Sequence, residues 1–287
     1  MPAVSATVIR ILSDVHYGDA ASLVHSTDAL RPLFAGADTV IFNGDSVEML
    51  PSQHTESLRR RKEELVQFVQ HIGAKVIFIA GNHDPDISSI YHLDLAGGRI
   101  LVTHGEILFE KLVPWGWDRH VIYRKYRAAL AARTEAEQNS LEGKLEAAKE
   151  IMRTLEESRH LPAGGFLRRI QGFAMKLWPP WTPLLMLYAW WDLPHRGMVF
   201  LRKFRPAAQF LIIGHTHFPG VWTREGLTII NTGAYMHPFG PLAVDIEPER
   251  LTVRKVIGRS GKFELGPIVA QFELSPQAAS PAQTASS

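Results

Sequence analysis

The chain has 287 residues, of which 46% are hydrophobic and 21% charged, a composition typical of a globular protein with a sizeable core. Its formal net charge of +2 is too small to indicate nucleic-acid binding by itself. Cysteine is absent, which excludes disulfides and thiolate metal sites and leaves oxygen and imidazole as metal ligands. The first predicted strand begins near the N-terminus without a basic and apolar leader, so we expect a cytoplasmic location.

The N-terminal region, residues 7–107, alternates between apolar runs typical of strands and amphipathic stretches typical of helices. This alternation predicts a layered α/β structure. Strands are predicted up to Leu12 and near Val40, and a helical stretch is predicted over 27–34. A charged helix is predicted from Glu56 to Ile72, with its apolar side packed inward and its run of arginine, lysine and glutamate in solvent.

From residue 108 to 205, helical sequence poor in glycine replaces the strand pattern, and we interpret this stretch as an inserted helical cap. Apolar residues at heptad spacing from Leu141 to Leu155 predict an amphipathic helix packed on one neighbour. Six of the seven tryptophans lie in the insertion. The apolar run between Pro183 and Asp192 is shorter than the roughly 20 residues that cross a bilayer. This apolar run predicts a core helix, an apolar pocket or an interfacial surface.

The segment from Phe166 to Trp178 places apolar side chains on one helical stripe and basic side chains off it. Such a helix can lie on an anionic lipid surface, although packing against the α/β body is the alternative. Strands are predicted again after residue 206. The predicted domains are a discontinuous core (1–107 and 206–274), the cap (108–205) and a disordered tail rich in serine, alanine and proline (275–287).

Polar motifs follow five of the predicted strands. They are Asp14-Val15-His16, Gly44-Asp45, Gly81-Asn82-His83-Asp84, His104-Gly105 and Gly214-His215-Thr216-His217. The tips of strands in α/β proteins are where ligands bind. Two of the motifs contain pairs two residues apart, and on an extended strand end such a pair points to one side and can share a cation. Carboxylate, amide and imidazole groups in this number suit two divalent metals.

In the type and order of these five motifs the chain resembles the calcineurin-like metallophosphoesterases. The resemblance covers the motif-bearing parts, 7–107 and 208–246, and implies a four-layer αββα sandwich with the helical cap inserted. It also implies two metal ions that share Asp45 as a bridging carboxylate. The first ion would be held by Asp14, His16, Asp45 and His217. The second would be held by Asp45, Asn82, His104 and His215.

The resemblance implies hydrolysis of a phosphoester by a hydroxide that bridges the two ions. We predict that His83 contacts the phosphate and protonates the leaving oxygen, with Asp84 holding its ring; a positioning role without proton transfer is the alternative for His83. Glu48 and Glu106 are interpreted either as partners of ligand histidines or as loop carboxylates. Manganese is the leading metal, with iron, zinc or cobalt as alternatives.

The cap is expected to select the substrate, because the metal site supplies generic hydrolysis. In plan the chain is similar to UDP-diacylglucosamine hydrolases, but it carries His83 where those enzymes typically have arginine. A lipid-linked phosphate or pyrophosphate such as UDP-diacylglucosamine is therefore the leading substrate, with membrane-surface contact through the cap at the inner membrane. The alternatives are a soluble phosphodiesterase or phosphomonoesterase acting on nucleotides or phosphoproteins, and a non-catalytic metal-bound scaffold. We expect no nucleic-acid partner, and the sequence leaves the oligomeric state open.

Overall fold

The computed structural model describes residues 7–49, 55–116, 118–154 and 181–274. Its strands are β1 (Ile9–Leu12), β2 (Thr39–Asn43), β3 (Lys75–Ile79), β4 (His92–Leu95), β5 (Ile100–Thr103), β6 (Phe210–Ile213), β7 (Gly220–Arg224), β8 (Leu227–Asn231), β9 (Leu242–Glu247), β10 (Arg250–Arg259) and β11 (Lys262–Glu273). Its α-helices are α1 (Thr55–Gln70), α2 (Arg119–Ala131), α3 (Glu135–Asn139), α4 (Leu141–Arg153) and α5 (Thr182–Phe204). Short 3-10 helices cover Thr27–Phe34 and Glu106–Leu108.

The strands form two sheets. The first has the order β11-β10-β9-β1-β2-β3, and the second has the order β4-β5-β6-β8-β7. In the first sheet β1, β2 and β3 run parallel, and in the second β5, β6 and β8 do. Because parallel strands end at the same edge, the polar motifs that follow β1, β2, β3, β5 and β6 are brought to one end of the sheets.

Apolar side chains fill three interfaces between four layers. Between the two sheets lie Ile11, Ile41, Ile79, Ile100, Ile212 and Ile230. The outer face of the first sheet packs against α1 and the 3-10 helix through Leu30, Leu33, Leu65 and Phe68. The outer face of the second sheet packs against α4 and α5 through Leu145, Leu193, Leu201 and Ile229. The predicted αββα arrangement is confirmed.

The predicted helical stretch at Thr27–Phe34 is present as a 3-10 helix, and Pro32 lies inside it. Helix α4 contacts α2, α3 and the 3-10 turn at Glu106–Leu108, so the prediction of a single neighbour is wrong. The reason is a wide buried surface, which includes Leu141, Ala147 and Met152.

Helices α2 to α5 all fall within the predicted insertion, whose status as a separate cap domain stays a prediction. The predicted positions Leu155, Phe166 to Trp178 and 275–287 lie outside the described residues. Among the described helices, none combines the length and the apolar character needed to cross a bilayer.

Candidate metal centre

Seven predicted ligands from five strand ends come together in the structure. Six of them are buried, and the His217 side chain is 34% exposed. They are Asp14 and His16 after β1, Asp45 after β2, Asn82 after β3, His104 after β5, and His215 and His217 after β6. Residues as far apart in the sequence as Asp14 and His217 therefore meet at one polar site. That these residues bind metal ions stays a prediction, and the distances between their ligand atoms can be compared with it.

The first predicted ligand set is compact. Single ligand atoms of Asp14, His16, Asp45 and His217 all lie within 4.8 Å of one another. His217 Nε2 is 3.3 Å from Asp14 Oδ1, and His16 Nε2 is 3.6 Å from Asp45 Oδ2. The two Nε2 atoms are 3.1 Å apart. Two imidazoles and two carboxylates aimed at one point form a suitable donor set for a divalent cation.

The second predicted set is arranged around Asn82. His104 Nε2 lies 3.1 Å from Asn82 Oδ1 and 3.1 Å from Asp45 Oδ2, and His215 Nδ1 lies 2.8 Å from Asn82 Oδ1. The opposite ring nitrogens are held by backbone carbonyls, since His104 Nδ1 and His215 Nε2 each lie 2.9 Å from one. Such partners fix ring orientation and leave the other nitrogen to face the centre.

The buried carboxylates and histidines of this site shift each other's pKa values. Burial alone lowers the pKa of His104, but the Asp45 and Asp14 carboxylates outweigh it and raise that pKa to about 10. Burial raises the pKa of Asp45, but neighbouring histidines, His104 first, hold it well below its usual range. Burial and the nearby His104 lower the pKa of His215 to about 4, so that ring is neutral. A divalent cation would replace the proton on His104 and satisfy the same carboxylates.

The sequence matches the calcineurin-like phosphoesterase family over residues 7–219. The chain belongs to the calcineurin-like phosphoesterase family. The family implies divalent metal ions, and the candidate ligand set of this chain fits them in donor type and convergence. Which metal is bound stays a prediction.

No curated protein matches this calcineurin-like phosphoesterase. Similar solved structures include a dimetal phosphatase from Danio rerio (12% identity, 94% of this chain and 99% of that chain covered, TM-score 0.47). Yfce, a phosphoesterase from E. coli, is 16% identical over 94% of this chain and 100% of its own, with a TM-score of 0.41. A Vps29 single mutant from Entamoeba histolytica is 13% identical, with coverages of 94% and 100% and a TM-score of 0.42. Identities this low carry no information about the reaction.

The backbone of this phosphoesterase is left-handed at most of the ligand positions. Positive φ angles occur at Asp14 (50°), His16 (47°), Asp45 (51°), His215 (66°) and His217 (57°). The prediction that the paired ligands stand on extended strand ends is therefore wrong, because the chain turns sharply after β1 and β6. Each such residue costs about 1–3 kcal/mol, and strain of this kind is maintained where the surrounding structure and the function require it.

Two glycines of the motifs are required because carboxylate side chains lie very close to their backbone. A Cβ atom on Gly81 would collide with the Asp45 carboxylate, and one on Gly214 would collide with the Asp14 carboxylate. The ligand carboxylates therefore lie directly against the neighbouring main chain. Glycine at these two positions is a steric requirement of the site.

Asp84 does not hold the His83 ring, and that prediction is wrong. Its buried carboxylate accepts hydrogen bonds from the backbone N–H groups of Gly81 (2.7 Å), Asp45 (3.0 Å) and Ser46 (2.6 Å). It therefore fixes the two ligand loops to each other. The physical reason is that these loops leave several buried N–H groups without strand partners, and a carboxylate satisfies three of them at once.

Glu48 is the carboxylate that contacts His83. Its Oε2 atom lies 2.8 Å from His83 Nδ1 and 3.5 Å from His16 Nδ1. Burial lowers the pKa of His83, but Glu48 and then Asp45 raise it to about 10. The sequence left Glu48 open between a partner of a ligand histidine, which its contact with His16 fits, and a loop carboxylate. Its place three residues after Asp45, at the same strand end, was the available signal.

Two segments support the ligand loops from outside. Asn231 Nδ2 donates to Gly214 O and Thr216 Oγ1, both at 2.8 Å, and Tyr235 N donates to Asp14 O at 3.1 Å. From α5, Trp190 Nε1 donates to Thr216 O at 2.9 Å. The strand end after β6 is thus held by both the second sheet and the inserted helices.

Other histidines lie away from the ligand set. His25 and His237 could have lined the mouth of the metal cleft, but they line a separate cavity of about 530 Å³ that none of the seven predicted ligands borders. His54 lies outside the described residues.

Proposed function

We propose that this protein is a phosphoester hydrolase that uses two divalent metal ions. The observation that carries the proposal is the central position of Asp45, whose Oδ2 atom is 3.6 Å from His16 Nε2 of one set and 3.1 Å from His104 Nε2 of the other. One carboxylate shared by two donor sets suits a pair of neighbouring cations. When bound, such a pair supplies an activated water and neutralises charge on the phosphate oxygens.

His83 is the proposed general acid. Its Nδ1 atom is held by Glu48 at 2.8 Å, and its side chain is 27% exposed at the rim of the centre. Because its pKa is raised to about 10, the ring is charged near neutral pH and Nε2 carries a proton. That proton can pass to the leaving oxygen, which general acids do most effectively from a fixed orientation.

For the substrate class, we propose a lipid-linked phosphate or pyrophosphate. A cleft of about 600 Å³ runs between α2, α4 and α5, with walls that include Phe109, Tyr123, Tyr126 and Phe200. Phe109 also packs on the ligand His215, with ring centroids 6.0 Å apart. A substrate with its phosphate at the metal centre could therefore extend an apolar group into this cleft. Soluble nucleotide or phosphoprotein esters are the alternative substrates.

The test is a hydrolysis panel with the purified protein and added Mn²⁺. The panel contains p-nitrophenyl phosphate, bis-p-nitrophenyl phosphate, a phosphopeptide and a UDP-linked diacyl sugar. Cation-dependent turnover that is lost in Asp45→Asn supports hydrolysis, and preference for the diacyl substrate supports the lipid class. Full metal occupancy without turnover of any ester would overturn the proposal in favour of a metal-bound scaffold.

A further inference from the structure

One stripe of α5 presents large apolar side chains to solvent. They are Trp181 (51% exposed), Leu184 (66%), Leu187 (55%), Tyr188 (54%) and Trp191 (78%), and we call them the docking face. Their spacing of three or four residues places them along one side of the helix. In the described part of the chain no element covers this side.

The opposite side of α5 is a core surface. Ala189, Leu193 and Leu201 are buried against the second sheet. An α-helix that is apolar on both sides requires two apolar partners, and the described residues supply one of them, the second sheet. A contiguous exposed apolar patch of this kind marks an interaction site.

A basic segment borders the docking face. The segment 111–127 contains five lysines and arginines and one acidic residue, whereas the whole chain has a net charge of only +2. Lys111 and Arg119 line a groove of about 380 Å³ together with Leu185 and Tyr188. The cations therefore border the apolar side chains directly.

We propose that the docking face binds the surface of an anionic phospholipid bilayer. Aromatic and aliphatic side chains enter the interfacial region, where tryptophan and tyrosine are favoured, while the cations of α2 contact the headgroups. The helix lies on the membrane and does not cross it.

Charge complementarity favours lipid over a second copy of the chain. A symmetric dimer through this face would bring the basic segment 111–127 of each copy towards that of its partner. Juxtaposed like charges oppose such an interface, whereas an anionic leaflet attracts the same cations.

The inference is independent of hydrolysis. Membrane binding is measured without a substrate, and turnover of p-nitrophenyl phosphate is measured without a membrane. Failure of one therefore does not imply failure of the other.

The experiment is co-sedimentation of the full chain with phosphatidylcholine vesicles, with and without phosphatidylglycerol. We expect binding to the anionic vesicles that weakens as salt is added. Leu184→Ser combined with Trp191→Ser should weaken binding by about tenfold or more, because apolar area drives insertion. Lys111→Glu combined with Arg119→Glu should weaken it by about fivefold or more for each residue changed.

The matched control is Ile268→Ser combined with Val269→Ser on β11, where the side chains are 49% and 45% exposed. This variant should bind vesicles like the wild type. Thermal unfolding verifies that every variant is folded, and analytical ultracentrifugation measures association of the chain with itself. No binding of the wild type to anionic vesicles would overturn the proposal. Equal weakening in the control would overturn it too, as would self-association that is abolished by the Leu184 and Trp191 changes without any vesicle binding.

Discussion

The metal centre buries polar side chains, whereas the docking face exposes apolar ones. At the metal centre, charged and polar side chains are buried, and Asp84 is held there by three backbone amides. On α5, large apolar side chains are exposed and meet no described partner. Both arrangements cost free energy in the isolated chain. In the proposals made above, the first arrangement is compensated by metal ions inside the fold and the second by a lipid surface outside it.

Two consecutive tryptophans of α5 show how sharply the two regions are separated. Trp190 stacks on Phe218 with ring centroids 4.8 Å apart and donates to Thr216 O beside the ligand histidines. Trp191 is 78% exposed. Successive helical residues point about 100° apart, so one side chain supports the metal centre and the next belongs to the docking face.

The largest effect is expected at Asp45, which both ligand sets share. Asp45→Ala should reduce turnover by about three orders of magnitude or more and should remove bound metal, because no other carboxylate replaces the bridge. Metal content by elemental analysis and turnover of a p-nitrophenyl ester measure the two effects. Ser260→Ala, on the exposed turn between β10 and β11, is a control that should change neither. Retained metal with full turnover would contradict the assignment.

His83→Ala should lower kcat by about 10²–10⁴-fold, the usual contribution of a general acid, while metal content stays at the wild-type value. A substrate with a leaving group of low pKa needs no proton, so its turnover should fall far less. Comparing p-nitrophenyl and alkyl phosphate esters tests this. An equal loss for both esters would mean that His83 has a positioning role and does not transfer a proton.

Lys149→Met tests a buried ion pair whose carboxylate, Glu106, lies two residues after the predicted ligand His104 in the sequence. Lys149 Nζ donates to Glu106 Oε1 at 2.5 Å, and both side chains are fully buried. Breaking such a pair should lower the free energy of unfolding by about 3–5 kcal/mol because it leaves a carboxylate unpaired. The double variant Lys149→Met with Glu106→Leu removes both charges and should recover most of that loss.

The loss of stability caused by Lys149→Met should depend on pH. Burial raises the pKa of Glu106, but Lys149 and the nearby histidines outweigh it, so the folded-state pKa lies below its usual value. Because the carboxyl pKa is lower in the folded state than in the unfolded state, the ionised group stabilises the fold at pH values above its unfolded-state pKa. This stabilisation is lost as the pH falls through the folded-state pKa. The difference between wild type and Lys149→Met should therefore be full at neutral pH and shrink in acid. Denaturant unfolding of the metal-free proteins measures it.

Glu48→Gln should lower turnover by about 10–100-fold, as loss of a partner that orients a functional histidine typically does. Because His83 then loses its main anionic neighbour, the upper pH limit of activity should move to lower pH. Glu63→Gln on the solvent side of α1 is a matched control and should leave the pH profile unchanged. An unchanged profile in Glu48→Gln would show that His83 is oriented without it.

The smallest effect is expected on the docking face. Trp191→Ala should change the free energy of unfolding by no more than about 0.5 kcal/mol, since the side chain is largely in solvent. Leu193→Ala, two residues further along the helix and fully buried, should cost about 2–5 kcal/mol. A large loss of stability in Trp191→Ala would mean that the docking face is covered within the molecule.

The sequence by itself determined the layered fold and the seven residues that meet at the strand ends. Alternating apolar runs predict strands, and a polar motif directly after a parallel strand can only lie at that edge of the sheet. Only the tertiary structure decided which carboxylate holds His83, because Glu48 and Asp84 are both close in the sequence and differ in where the loops turn. It also decided which side of α5 is exposed, since a helix with apolar residues all round does not reveal from its own pattern which side meets the sheet.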